Sequence, residues 1–268
     1  MAQTMGLAIY ALSGFGYPFA ELVKLIKNAG FQSVMTWWGD EYRETNGPKE
    51  LEPDIVRNNG LTLENTHISF TGANAIWQDS LDGQELFNRY LSYLDDCKTY
   101  EIPAGVLHVS SGNNPPPYGQ LGLDRFRRLV ERAEKNGVTI ALENLRKPEY
   151  LDFIYDNIKS DKLKFCFDSG HENSFTPGFD CLAKYGDKLA ALHLHDNDGT
   201  DDQHRIPGEG TIDWPEITRK LRGYPGPISV EVTNEFSVKC RNLTAERFLA
   251  EAFAQAKGIA EQLILIPG

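Results

Sequence analysis

Basic residues are in deficit in this chain: 27 Lys and Arg face 38 Asp and Glu, a formal net charge of −11. Affinity that rests on neutralising phosphates needs the opposite balance, so nucleic acid is disfavoured as a partner. Cysteine is scarce. Cys97, Cys166, Cys181 and Cys240 stand far apart with no CxxC pair, which argues against disulfides and predicts free thiols in a reducing compartment. No run approaches the roughly 18 apolar residues of a membrane span. The opening "MAQTMGLAIYALSGFGYPFAEL" has neither a basic n-region nor a long apolar core, so no signal peptide is expected and the cytoplasm is the expected location. No linker, composition break or low-complexity segment divides the chain, and one domain over residues 1–268 is expected.

What the chain does contain is a strand-then-helix pattern repeated eight times. The strand candidates are "GLAIYAL", "SVMTWW", "TLENTHISF", "AGVLHVSSG", "VTIALEN", "LKFCFDSG", "LAALHLH" and "PISVEV". Helical spacing follows each, as in "FAELVKLIKNAG", where Gly30 reads as the residue that ends the helix, and in "PKELEPDIVRNNG", which Pro53 should shorten. Several strands are continuous apolar runs, the pattern of a parallel sheet buried on both faces. Eight such units predict an α/β fold, a single (β/α)8 TIM barrel.

In such a barrel the site forms at the C-terminal ends of the strands, and ionisable residues collect there. They are His67, His108, Glu143, Asp168 with His171, His193 with His195, and Glu231. None of the six histidines falls in a predicted helix. The densest stretch is "LAALHLHDNDGTDDQHRIPGEGTIDW", residues 189–214, which adds Asp202 and His204. One strand-end carboxylate alone reads as a structural hydrogen bond; a ring of them around one mouth needs a cation. One divalent ion is therefore expected. A carboxylate-rich set suits Mn2+, Mg2+ or Co2+, and extra imidazoles tilt toward Zn2+.

The segments "ALEN", "CFDSGH", "LHLHDND", "DQHRIPGEGTIDW" and "SVEV", as a set and in this order, resemble the xylose-isomerase-like TIM barrels. That superfamily includes sugar-phosphate isomerases and epimerases, ketose 3-epimerases, inositol-pathway isomerases and endonuclease IV. The resemblance spans essentially the whole chain. It implies a metal held by Glu143, Asp168, His193 and Glu231, with Asp196 completing an H-x-x-D pattern and His171 touching substrate. An endonuclease IV-like trinuclear zinc site for abasic DNA would instead use His67, His108, Glu143, Asp168, His171, His193, Asp202, His204 and Glu231. Against it, "NLRKPEY" follows Glu143 where those endonucleases carry a glycine-rich stretch.

The expected activity is therefore a metal-dependent sugar isomerase or epimerase that moves a proton through an enediolate. Glu143 and Glu231 serve as the opposed bases and His171, in its neutral form, holds a substrate oxygen. His67, His108, Trp38 and Arg205 are the expected substrate contacts, Arg205 standing in for an arginine found after the seventh strand in several ketose epimerases. Of the adjacent Trp37 and Trp38, alternation along a strand lets only one face the pocket. Trp214 reads as packing at the start of a helix, and Arg146 with Lys147 as solvated charges, the alternative being a contact from either to a substrate phosphate. The expected partner is a small sugar, with no membrane. Homo-oligomers are allowed, since family members are often dimers or tetramers.

Overall fold

In the computed structural model, which describes residues 5–265 except 236, 238, 240 and 241, parallel strands wind around a common axis. They are β1 (Leu7–Tyr10), β2 (Ser33–Trp38), β3 (Thr62–Ile68), β4 (Ala104–Leu107), β5 (Thr139–Glu143), β6 (Leu163–Asp168), β7 (Leu189–His193) and β8 (Ile228–Val230). The sheet runs β7-β6-β5-β4-β3-β2-β1-β8. A parallel bridge between Leu194 and Val230 joins its two ends, with the Leu194 N–H on Ser229 O and the Glu231 N–H on Leu194 O, both at 3.0 Å. This is a (β/α)8 barrel.

The outer layer follows from amphipathic spacing. The helix Phe19–Ala29 buries Phe19, Leu22, Val23 and Ile26, each aliphatic contributing about 1.5–3 kcal/mol. Gly30 ends it at φ 108, and a side chain there would press on the Phe253 ring. Pro53 does shorten its segment, which splits into a 3-10 turn at Lys49–Leu51 and a helix at Glu52–Asn58. Among the described residues no helix is long and apolar enough to cross a membrane. Cys97, Cys166 and Cys181 are buried free thiols, and Cys240 lies outside the described residues.

Inside the barrel, side chains alternate with period two. Val106, Ala141, Cys166 and Ala191 form a small buried cluster of their own, one residue from each of β4 to β7. Two positions further along each chain come His108, Glu143, Asp168 and His193. A floor of small side chains thus carries a layer of ionisable ones. The intervening Leu107, Leu142, Phe167 and Leu192 belong to the larger apolar core.

Glu52 carries a cost away from this centre. It is 5% exposed, and its Oε2 has no hydrogen-bond partner among the described residues. Burial pushes its carboxyl up to about 8, against the pull of Lys49 and with the help of Glu50. The folded chain therefore keeps a proton that the unfolded chain releases above its ordinary value of about 4.5. Stability contributed by that proton falls as pH rises from about 4.5 to about 8. We expect Glu52→Gln to flatten this slope and to stabilise the protein at pH 8.5 by about 1–3 kcal/mol, read by urea unfolding at pH 5 and 8.5. An equal gain at both pH values would refute the assignment.

Candidate metal centre

Four buried side chains meet at the barrel mouth: Glu143 ends β5, Asp168 ends β6, His193 ends β7 and Glu231 follows β8. One ligand atom from each lies within 4.8 Å of all the others. His193 Nδ1 is 2.7 Å from Glu143 Oε1 and 2.9 Å from Glu231 Oε2, so the imidazole bridges the two glutamates. Asp168 has two tasks. Its Oδ1 accepts the His171 N–H at 2.6 Å and caps a seven-residue helix, Ser169–Phe175, that starts directly at the strand end.

Two further groups flank this one. Glu143 Oε2 is 2.7 Å from His108 Nε2 and 3.2 Å from His67 Nε2. On the other side Asp202 lies 3.2 Å from both His171 Nε2 and His204 Nε2, and 3.4 Å from His195 Nε2. Rings back each imidazole. Trp37 stacks on His67 at 5.2 Å, Phe70 on His108 at 4.3 Å, Phe175 on His171 at 4.7 Å, and His204 on His195 at 4.2 Å. Gly170 is required here: a Cβ at that position would occupy the His195 ring.

The electrostatics are those of a site short of positive charge. Burial works to raise Glu143, yet His193 and His108 hold it well below the carboxylate range. Glu231 is held at about 2, again against burial and chiefly by His193. Burial lowers His171, but Asp168 and Asp202 outweigh it and carry the imidazole up to about 10. His204 reaches about 10 through Asp202 in the same way. His108 goes the other way, because its burial exceeds the pull of Glu143. The carboxylates thus draw protons onto histidines, a demand that a divalent cation also meets. His193 Nε2 is buried without a hydrogen bond among the described residues. By donor chemistry and convergence, these residues fit a divalent metal.

The chain matches the family described as xylose isomerase-like TIM barrel over residues 23–252. It belongs to that family. The uncharacterized protein y4fM of Sinorhizobium fredii is 27% identical over 246 residues, covering 77% of this chain and 78% of its own. Fructoselysine 3-epimerase of Escherichia coli O157:H7 is 46% identical over 55 residues, 20% of each chain. The IolI protein, solved with a binding zinc atom, superposes with a TM-score of 0.79 at 18% identity over 98% of this chain and all of its own.

Against this xylose isomerase-like framework, several expected contacts move. Trp38 does not reach the mouth. It is fully buried behind the barrel, where its indole N–H donates to Asp96 Oδ2 at 3.0 Å, and Trp37 takes the mouth-facing position. Arg205 is committed to Asp198 Oδ2 at 2.9 Å and pairs by its backbone with Asp196, while its neighbour His204 joins the site. Asp196 is structural: its carboxylate accepts from the N–H groups of Asn197, Gly208 and Ile212 and from the Trp214 indole, pinning the loop. Trp214 opens a helix as expected. His171 lies in a helix, contrary to the sequence reading, and Asp168 and Asp202 pull its imidazole toward the protonated form. His195, absent from the expected ligand sets, packs between Asp168 and His204; its i+2 spacing from His193 was the available signal.

Proposed function

We propose that this chain is a divalent-metal-dependent isomerase or epimerase of a ketose. The observation that carries the reading is the convergence of Glu143, Asp168, His193 and Glu231 within 4.8 Å in a buried layer. A name such as fructoselysine 3-epimerase among the relatives supports it, as does the bound zinc of IolI. Those four residues would hold the ion, which when bound supplies Lewis-acid stabilisation to oxygens next to the reacting carbon. Glu143 and Glu231 reach the mouth from separate strands. One takes the proton from the carbon beside the carbonyl, and the other returns it from the opposite side or to the neighbouring carbon. His171 is held at both ring nitrogens, Nδ1 by Asn144 O at 3.0 Å and Nε2 by Asp202 Oδ2 at 3.2 Å, which fixes the ring beside the ligand group. Trp37 and Phe70 offer flat apolar faces for a sugar beside His67 and His108.

A second reading has its own observation. The groups His67–His108–Glu143 and His195–Asp202–His204 each bring three ligand atoms within 4.8 Å. Two further ions would make the site that of a phosphodiesterase acting on abasic DNA. The deciding assay incubates the protein, purified without chelators, with a panel of ketoses and, separately, with an abasic-site duplex. Proton NMR reports an inverted carbon or an aldose product, and gel electrophoresis reports strand cleavage. Cleavage with no sugar conversion would replace the first reading by the second.

A further inference from the structure

We propose that Arg146 is an anion anchor, and that the substrate of this site carries a negatively charged substituent, a phosphate or a carboxylate. This rests on the ketose reading of the metal centre and adds the class of ketose.

Arg146 stands three residues past Glu143, on the loop that leaves β5. It lines a cavity of about 140 Å3 together with Phe70, His108, His171, Phe175 and Asp202. Its guanidinium carbon sits 3.4 Å from the centroid of the Phe175 ring, and Phe175 stacks in turn on His171. A guanidinium held by its face keeps its in-plane N–H donors free for a bidentate acceptor.

Those donors have no protein acceptor. Among the described residues no hydrogen bond or ion pair reaches the Arg146 guanidinium. Every other buried or half-buried arginine there has one: Arg57 holds Tyr100 O, Arg89 holds Thr71 O, Arg125 holds Ile76 O, Arg127 holds Asp124, Arg132 holds Asp95, and Arg205 holds Asp198. The acid that lines the cavity with it, Asp202, is engaged by His171 and His204 instead. In a chain with 38 acidic side chains, an arginine kept clear of all of them at a site mouth marks where an external anion docks. The solvated-charge reading of Arg146 is replaced by this one.

The test has two readouts on metal-loaded protein. The first measures kcat/KM for a neutral ketose, the matching ketose phosphate and the matching ketose uronate, in wild type, Arg146→Gln and Arg146→Lys. We expect one anionic member to exceed the neutral ketose by about tenfold or more in wild type. Arg146→Gln should bring that ratio close to one, and Arg146→Lys should retain part of it. Which anion wins identifies phosphate or carboxylate. The second readout titrates inorganic phosphate and acetate by calorimetry. At least one should bind, and Arg146→Gln should weaken it about tenfold or more. A wild type that prefers the neutral ketose overturns the proposal, as do anion affinities that ignore the substitution. If no sugar in the panel is converted, the ketose reading fails, and the calorimetry still decides whether Arg146 holds an anion.

Discussion

Glu231→Gln is expected to lower epimer or isomer formation by about 10²–10⁴-fold, the usual contribution of a positioned acid or base, while leaving the barrel folded. Glu231 is the better of the two glutamates to remove. Glu143 lies against His67, His108 and His193, so changing it disturbs three imidazoles at once. Glu231 makes its close contact with His193 and sits at the rim, 7% exposed. The informative measurement is made in heavy water. If Glu143 and Glu231 work from opposite sides, Glu231→Gln should still exchange one substrate proton with solvent through Glu143, yet fail to deliver it to the other side. Exchange and product formation falling by the same factor would show a single base, and the two-carboxylate assignment would be wrong.

The second large effect concerns the metal. Protein stripped with a chelator and then given Mn2+, Co2+ or Zn2+ at about a thousandfold excess over Kd should gain about 4 kcal/mol. That corresponds to roughly 10 °C in midpoint for a chain of this size. The gain is expected because the ion would neutralise buried carboxylates whose charge burial opposes and neighbouring imidazoles now offset. Asp168→Asn should remove most of it, since that carboxylate serves both the ligand group and the cap of the helix Ser169–Phe175. Elemental analysis on the same samples counts ions. One per chain agrees with the four-residue group alone; three would assign the flanking groups as well and favour the phosphodiester reading. No metal-dependent shift at all would remove the cation from the argument.

Much of this was legible in the sequence because it is periodic. Apolar runs of strand length, helical spacing between them and one ionisable residue at most strand ends were enough to expect a barrel and its ligand layer. What escaped were features whose cause lies elsewhere in the chain. The phase of "WW" could not be read, because two indoles suit either face equally and the Asp96 carboxylate that takes the Trp38 N–H lies on a distant helix. "SGHENSF" has too few apolar residues to announce a helix; the Asp168 carboxylate starts it from outside the segment. Arg205 was displaced by a short antiparallel bridge with Asp196 that no periodicity signals. The stacking of Arg146 could not be read, because the ring under its guanidinium, Phe175, belongs to the next strand–helix unit.

The two-tier interior has a consequence for how the chain finds its pairing. Slide any one of β4 to β7 by a single residue and its ligand turns outward into the apolar layer against the helices, while Leu107, Leu142, Phe167 or Leu192 enters the mouth. A stranded carboxylate or imidazole among leucines costs several kcal/mol, far more than a purely aliphatic strand would forfeit by slipping. The residues proposed to do the chemistry therefore act as proofreading marks during assembly, and a barrel that closes at all has aligned them.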